Sequence, residues 1–286
     1  MHVPVMLGET LEYLAVRPDG IYLDATAGLG GHSRAIAERL TTGMLIASDR
    51  DAESLAMARQ NTREFAERAR YHHGPFSGLR KALAAAGVEK VDGLLADLGV
   101  SRYQLTEPER GFSLMADGPL DMRMDRSEGS TAHDIVNFSS EKSIADLIYQ
   151  LGEERRSRRI ARAIVRARPI HTTQQLARVV EQAVPRTGRL HPATQTFMAL
   201  RMAVNEEQGE LDSLLSLAPE LVASGGRIVI LTFMSLEDRK VKQSFQALSR
   251  GGRAILLTKH VVQPTDEEVA TNPPSRSAKM RALEIS

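Results

Sequence analysis

The sequence of 286 residues contains no cysteine and no tryptophan, and only 4% of its residues are aromatic. The absence of cysteine excludes disulfides, metal sites with thiolate ligands and thiol catalysis. The N-terminus has no cationic segment followed by an apolar core, so no secretory signal is predicted. No apolar run approaches the roughly 18 residues that a membrane-spanning helix needs. We therefore expect a soluble, cytoplasmic protein that makes no membrane contact.

Net charge is also nearly absent, because 37 Lys and Arg residues balance 36 Asp and Glu residues to give +1 at pH 7. This balance does not indicate a nucleic-acid-binding protein, although local clusters of basic residues could still form such a surface. The hydrophobic fraction of 42% is ordinary for a globular protein. The length suffices for one large domain or two ordinary ones.

Short apolar runs alternate with helical patterns through the first hundred residues. The run "MLIASD" ends in an acidic residue and "VDGLLADL" has one next to its end, which is typical of buried parallel strands, and "AIAERL" has the spacing of a helix. Strands are predicted at residues 21–24, 44–49, 70–73 and 91–97. Repeated strand–helix units predict an α/β fold with a doubly wound, Rossmann-like parallel sheet.

The alternation stops near Tyr103, and no convincing strand follows until it resumes after Glu210. We therefore predict that an all-helical domain, residues 103–205, is inserted into a sheet domain made of residues 1–102 and 206–286. The inserted domain is expected to recognise the substrate. The polar segment 263–279 is rich in proline, and we expect it to be ordered only by contacts with something else.

A glycine-rich loop, "DATAGLGGHS", occupies residues 24–33 between the first predicted strand and the first helix. Glycines at 28, 30 and 31 permit a tight turn that would bring a ligand to the N-terminus of the helix. A dinucleotide fingerprint requires a third glycine at position 33, which is Ser33 here. Asp24 would repel a diphosphate but attract a sulfonium or an ammonium, so the loop favours S-adenosylmethionine.

Three more side chains are expected at the carboxyl edge of the sheet, where this fold places its ligand. Asp49 could accept hydrogen bonds from ribose hydroxyls, or it could be an ordinary loop carboxylate. Phe76 could pack on an adenine or fix the helix start in the core. Asp97 could hold an N–H of an exocyclic amine so that the nitrogen lone pair points at the methyl group, or it could hold the cofactor or cap a helix. Catalysis of this kind is mostly positioning and electrostatics.

Nine motifs resemble, in the same order, those of the RsmH family, formerly called MraW, between His2 and Arg281. They are "DATAGLGGHS", "HGPFS", "DLGVS", "ERGFS", "DGPLDMRMD", "GEER…IARAI", "HPAT…F…LR…VN-E", "F-SLEDR-VK" and "NP-SRSAK-R". The resemblance implies a class I methyltransferase fold with a helical insertion. It also implies methyl transfer from S-adenosyl-L-methionine to N4 of the cytidine at position 1402 of 16S rRNA, in the small ribosomal subunit.

The resemblance also implies a set of cofactor contacts, of which Asp97 is in addition the predicted catalytic residue. The set comprises Gly30, Gly31, His32, Asp49, Phe76, Asp97 and Gln104. Met234 stands where the family usually has His, so no acid–base role is assigned there. Pro274 replaces a frequent basic residue, which removes one potential phosphate contact. No metal site is predicted.

Candidate RNA contacts are spread along the chain, at Arg123, Arg201, Asn205 and Arg276. The alternation of Asp and Arg in "DGPLDMRMDRS" predicts a loop that pairs with itself. The stretch 155–168 has seven arginines and no acidic residue, and five of them share one helix face. That face is either solvated or an RNA-binding stripe. The inserted domain is expected to hold a cytidine that has swung out of the folded RNA.

Three alternative functions are open from the motifs alone. The chain could methylate another amine in DNA or RNA, or it could bind S-adenosylmethionine as a non-catalytic assembly factor. A dehydrogenase is disfavoured by Ser33 and Asp24.

Overall fold

The computed structural model describes residues 4–186 and 191–286. It divides the chain into a sheet unit, residues 1–99 and 209–286, and a helical unit, residues 100–208. The strands belong to the sheet unit and are β1 (Ile21–Asp24), β2 (Met44–Asp49), β3 (Ala69–His73), β4 (Val91–Asp97), β5 (Val222–Thr232), β6 (Ala254–Leu256) and β7 (Lys279–Ile285).

One sheet of seven strands has the order β3-β2-β1-β4-β5-β7-β6. Strands β1 to β5 pair in parallel, and β7 runs antiparallel to both β5 and β6. The predicted α/β, Rossmann-like fold is thereby confirmed. The order reverses between β1 and β4, so the carboxyl ends of these two strands flank the crevice in which such a sheet binds its ligand.

Thirteen α-helices lie in the described residues. They are α1 (Leu7–Leu14), α2 (Gly31–Ala37), α3 (Ala52–Asn61), α4 (Leu79–Ala85), α5 (Arg102–Thr106), α6 (Ala132–Phe138), α7 (Glu141–Gly152), α8 (Ser157–Ala167), α9 (Thr173–Ala183), α10 (Thr194–Val204), α11 (Glu207–Leu221), α12 (Ser235–Arg250) and α13 (Asp266–Thr271). Within the described ranges, none is both long and apolar enough to cross a bilayer.

Each face of the sheet is covered by its own hydrophobic cluster. Leu94 and Leu95 are neighbours in β4 but belong to different clusters, because successive side chains of a strand point to opposite faces. Both residues are fully buried. Burial on both faces leaves the carboxyl edge of the sheet as the place where polar side chains can gather.

The segment 263–279 contains the short helix α13, which its polar composition did not predict. Thr265 caps the helix by accepting a hydrogen bond from the Glu268 backbone N–H, at 3.2 Å. The Glu268 carboxylate accepts a further bond from the backbone N–H of Met6, at 2.7 Å. The contacts that order this segment therefore include the N-terminal part of the same chain.

The helical unit has no strand among its described residues and buries one hydrophobic cluster between its helices. Thr172 and Gln175 form a capping box at the start of α9, which fixes where that helix begins. The apolar side of α8, including Ile160 and Ile164, packs into the cluster. Its arginines at 158, 159, 162 and 166 are exposed, as the helical periodicity predicts.

Candidate active site

The glycine-rich loop, residues 24–33, is bonded to the ends of β2 and β4, the two strands that flank β1. The Gly28 backbone N–H donates to the Asp49 carboxylate at the end of β2, at 2.7 Å. The Asp97 backbone N–H at the end of β4 donates to the Thr26 hydroxyl, also at 2.7 Å. The loop thus brings the predicted site residues Asp49 and Asp97 to one edge of the sheet, with itself between them.

The structure explains the glycines of this loop in different ways. Gly28 and Gly30 have positive φ angles of 51° and 86°, which glycine adopts without strain. A Cβ at Gly30 would lie 3.0 Å from the Cα of Ala58, and one at Gly31 would lie 2.5 Å from Cγ of Pro4. A Cβ at Gly28 would meet nothing closer than 3.9 Å. Packing within the protein therefore requires Gly30 and Gly31, and their cofactor contacts stay a prediction.

Asp24 lies behind the loop and not on its surface. The side chain is fully buried, and Oδ2 accepts a hydrogen bond of 2.6 Å from the Ser33 hydroxyl, while Oδ1 accepts one of 3.1 Å from the Thr26 backbone N–H. Both Asp24 oxygens therefore accept hydrogen bonds within the loop, and the attraction of this carboxylate for a sulfonium or an ammonium stays a prediction. Ser33, which breaks the dinucleotide fingerprint, is the hydrogen-bond donor that this carboxylate needs.

We expect Ser33→Ala to lower the free energy of unfolding by about 1.5–3 kcal/mol, since a buried carboxylate loses a charge-assisted hydrogen bond. Ser54→Ala is the matched control, because Ser54 is 1% exposed and its hydroxyl has no hydrogen-bond partner among the described residues. Urea denaturation of the two variants measures the difference. Equal losses in both variants would contradict the role given to Ser33.

Three carboxyl groups at this edge have raised pKa values. Burial raises the pKa of Asp24 to about 6 and that of Asp49 to about 7. Burial likewise raises the pKa of Asp97 to about 8, and the negative charges of Asp24 and Glu237 add to the effect. Such a cluster is poor in positive charge, so it favours a cationic ligand at this edge.

The Asp97 carboxyl group has one oxygen near His32 and one without a partner. His32 Nε2 lies 3.1 Å from the Val5 carbonyl, which can only accept, so Nε2 carries the hydrogen. His32 Nδ1 lies 3.7 Å from Asp97 Oδ2. Asp97 Oδ1 is buried and has no hydrogen-bond partner among the described residues. This oxygen is an acceptor that a ligand or substrate N–H could use.

Phe76 begins a short 3-10 helix, Phe76–Gly78, which is separated by two residues from the end of β3. The ring is half-buried against the hydrophobic cluster on one face of the sheet, so part of it packs in the core. The helix start is held by Glu210, which accepts hydrogen bonds from the Ser77 backbone N–H at 2.9 Å and the Ser77 hydroxyl at 3.0 Å. The contact of Phe76 with an adenine stays a prediction.

Gln104 belongs to the helical unit, unlike the other predicted cofactor residues. The side chain is 3% exposed, and its oxygen accepts a hydrogen bond of 2.9 Å from the Ser101 backbone N–H. Together the two residues form the capping box of α5. The structure thus gives Gln104 a helix-capping position, and its cofactor contact stays a prediction.

Thr26 and Glu237 are site residues that sequence reasoning missed. Glu237 is 4% exposed and accepts hydrogen bonds of 3.2 Å from the backbone N–H groups of Phe233 and Met234 at the start of α12. A glutamate three residues after a helix start is a known capping signal, so Glu237 was detectable. Met234, which departs from the family pattern, occupies the N-cap position of this helix.

Two of the four candidate RNA contacts are held by carboxylates. Arg123 Nε and Nη2 donate to the two oxygens of Asp121, at 2.7 and 3.1 Å, which confirms the predicted self-pairing of this loop. Arg201 donates two bonds of 2.8 Å to Glu207. Arg276 is exposed and has no carboxylate within 4 Å in the described chain. Arg276 is therefore the most accessible of these candidates.

Asn205 is 1% exposed, so its side chain is not available to RNA. The burial contradicts the direct RNA contact that was predicted for this residue. Its Nδ2 donates to the Met122 carbonyl and its Oδ1 accepts from the Met124 backbone N–H, both at 2.7 Å. Met122 has a φ of 61°, which is uncommon for a residue with a side chain. Asn205 thus holds an unfavourable turn of the "DGPLDMRMD" motif in place.

The comparisons with known proteins agree with this architecture. A model of the MraW methylase family matches residues 1–286. A "Ribosomal RNA small subunit methyltransferase H" of Solibacter usitatus is 66% identical over 285 residues, with 100% of both chains covered. Proteins of that name from Acidobacterium capsulatum and Koribacter versatilis are 50% and 47% identical, covering 99% and 98% of this chain and 98% and 93% of theirs. The resemblance predicted from the motifs is confirmed, and the chain belongs to the MraW methylase family.

Proposed function

We propose that this protein transfers a methyl group from S-adenosyl-L-methionine to N4 of a cytidine, position 1402, in 16S rRNA of the small ribosomal subunit. Family membership supports methyl transfer, and the names of the relatives support small-subunit rRNA as the substrate. One observation supports an amine as the group that is methylated. The buried Oδ1 of Asp97, at the carboxyl end of β4, is an acceptor without a hydrogen-bond partner among the described residues.

The residues at the sheet edge fit this cofactor. A sulfonium and an ammonium are cations, and the carboxyl groups of Asp49 and Asp97 have raised pKa values that a cation would lower. Asp49 ends β2, where a carboxylate can accept hydrogen bonds from ribose hydroxyls. Phe76 and the 30–32 segment complete the proposed binding surface. When bound, S-adenosylmethionine supplies an electrophilic methyl group.

Asp97 is the proposed catalytic residue. Its Oδ1 accepts an N–H of the cytosine amine and so keeps the nitrogen lone pair, otherwise delocalised into the ring, free to attack. Once the new N–C bond has formed, the nitrogen carries an extra proton, which passes to the Asp97 carboxylate. His32 Nδ1, 3.7 Å from Asp97 Oδ2, is placed to share that proton. The raised pKa of Asp97 makes it a better base than an ordinary aspartate.

The helical unit is proposed to clamp the RNA so that the target cytidine can leave its stack. The exposed arginine face of α8 and the exposed Arg276 supply positive charge for phosphates. Arg123 and Arg201 remain proposed RNA contacts, and each would contact RNA while it stays paired with its carboxylate. A protein with so little net charge is suited to recognise the shape of an assembled subunit. Because ribosomal subunits are the proposed substrate, the proposed location of the enzyme is the cytoplasm.

Labelled S-adenosylmethionine tests this function with two substrates, small subunits that lack the modification and a short naked oligonucleotide of the target sequence. We expect label in the subunits and little in the oligonucleotide. Comparable labelling of both would contradict recognition of the assembled subunit. No label in either, with cofactor binding intact, would favour the non-catalytic assembly factor.

We expect Asp49→Asn to weaken S-adenosylmethionine binding by about 1–3 kcal/mol, because hydrogen bonds from the ribose to a charged acceptor are lost. Isothermal titration calorimetry measures the dissociation constant. Asp92→Asn is the control, since Asp92 lies near the opposite end of the sheet, where it accepts bonds from Arg17 and Ile21. An unchanged dissociation constant in Asp49→Asn would remove Asp49 from the site.

A further inference from the structure

A cavity of about 520 Å³ lies beside β3, the strand at one end of the sheet order. We call it the β3 cavity. None of the proposed catalytic or cofactor residues lines it. Its small apolar floor consists largely of alanines, at positions 66, 69, 82, 85 and 86. Side chains this small leave space around the edge strand, with Arg59 of α3 on one face of the sheet and Ala82 of α4 on the other.

The rim of the β3 cavity is basic. Arg59, Arg63 and Arg70 all line it and are all exposed. The Arg59 guanidinium lies over the Tyr71 ring, 5.1 Å from its centroid, and Arg70 Nη1 donates to backbone carbonyls of its own segment. In the described parts of the chain, none of the three arginines has a carboxylate within 4 Å.

These three arginines differ from two other exposed arginines of the sheet unit, which are paired: Arg34 with Glu38 and Arg80 with Glu220. Three unpaired guanidinium groups around one concavity repel each other, so an anion there would be stabilised. Guanidinium groups bind phosphate oxygens through two parallel hydrogen bonds, which makes a phosphate the best-matched anion.

The remaining lining groups suit the rest of a nucleotide. The alanines at 82, 85 and 86 offer apolar surface to a sugar or base. Burial lowers the pKa of His72, so its imidazole is neutral at pH 7 and acts as a hydrogen-bonding group for a hydroxyl. The volume of about 520 Å³ lies within the range of pockets that bind small ligands.

The β3 cavity also lies within reach of the candidate active site. The Gly74 backbone N–H, just beyond β3, donates to the Asp49 carbonyl at 2.9 Å, so β3 ends beside the cofactor edge. Tyr71 is three residues back along the chain, which corresponds to roughly 10 Å of strand. One RNA chain could therefore contact both places.

We propose that the β3 cavity binds one nucleotide of the RNA substrate, with its phosphate on Arg59, Arg63 and Arg70. This second anchoring site rests on the proposed function, because it takes RNA as the substrate. It would hold the RNA beside the cofactor edge without touching the reacting atoms. Its loss should therefore weaken substrate binding and leave the chemical step unchanged.

The test compares Arg59→Gln, Arg63→Gln and Arg70→Gln with Arg80→Gln, which removes an arginine that is already paired with Glu220. Direct binding to unmodified small subunits is measured over a range of salt concentrations. Each lost phosphate contact should reduce the slope of log affinity against log salt by about 0.7–0.9, which is roughly a 4- to 5-fold loss at 0.15 M salt. The turnover number and the affinity for S-adenosylmethionine should match the wild type.

Three cavity variants that bind subunits as Arg80→Gln does, with the same salt slope, would overturn the proposal. Variants that lose affinity for intact subunits but bind protein-free 16S rRNA normally would also overturn it, in favour of an acidic protein partner. The wild-type protein is assayed for methyl transfer in parallel. Weakened binding by the variants with no methylation by the wild type would refute the proposed function and leave the cavity assignment standing.

Discussion

Asp97→Asn is expected to lower the turnover number for methyl transfer at least about 1,000-fold while the protein stays folded. Asparagine can still accept a hydrogen bond but cannot take the proton that the methylated nitrogen must lose. Loss of general-base catalysis, together with a weaker hydrogen bond from the amine to a neutral acceptor, accounts for an effect of this size. Single-turnover assays with unmodified small subunits measure it, and circular dichroism checks the fold.

The same substitution should stabilise the protein at neutral and higher pH. The pKa of Asp97 is about 8 in the folded chain and ordinary when unfolded, so between about pH 4 and 8 the folded state binds more protons. The free energy of unfolding of the wild type therefore falls, relative to that of Asp97→Asn, as the pH rises through this window. Because the side chain is 24% exposed, we expect a difference of about 2–4 kcal/mol above pH 8 and none below about pH 4.

Denaturation of both proteins at pH 4.5, 6.5 and 8.5 measures this difference. A gap that does not change with pH would show that Asp97 does not carry the raised pKa. Near-normal turnover in Asp97→Asn would remove it from the catalytic role. The two results are independent, so a stable, inactive variant supports both parts of the account.

The affinity for S-adenosylmethionine should rise with pH. The pKa values of Asp49 and Asp97 are about 7 and about 8 in the free protein, so both are largely protonated at pH 6. A cationic ligand favours the ionised carboxylates, and its binding must therefore release protons at low pH. Each released proton makes affinity rise up to about tenfold per pH unit, and we expect roughly a 10- to 100-fold lower dissociation constant at pH 8.5 than at pH 6.

S-adenosylhomocysteine is the control for this measurement. It has the same amino group but lacks the sulfonium charge, so titration of the ligand's amine affects both ligands equally. Calorimetry in buffers of different ionisation enthalpy counts the protons released by each. Identical pH dependence for the two ligands would mean that the carboxyl cluster does not sense the sulfonium.

Local patterns in the sequence were enough to predict the elements that form the sheet edge. Apolar runs ending in Asp49 and Asp97 placed both carboxylates at strand ends, because a buried parallel strand gives that pattern and its polar end must reach water. The family motifs then selected the functional interpretation of the chain as a methyltransferase. None of this depended on knowing which distant residues touch.

Contacts between distant residues could not be predicted in the same way. The buried Asp24 carboxylate depends on a hydrogen bond from the Ser33 hydroxyl. In the sequence alone, Ser33 is only the position at which the third glycine of a dinucleotide fingerprint is missing. Asn205 looked accessible until its bonds to Met122 and Met124, more than 80 residues away, showed it to be buried. The β3 cavity likewise requires two helices and a strand to meet. These features follow from tertiary packing, which leaves no periodic signal in the sequence.

Mapping the methylated atom tests the central claim most directly. Small subunits that lack the modification are incubated with the protein and labelled S-adenosylmethionine, and the rRNA is digested and analysed by mass spectrometry. The account predicts one methyl group on N4 of a single cytidine in 16S rRNA, and no product with Asp97→Asn. Label on a ring carbon, a ribose or another base would contradict it.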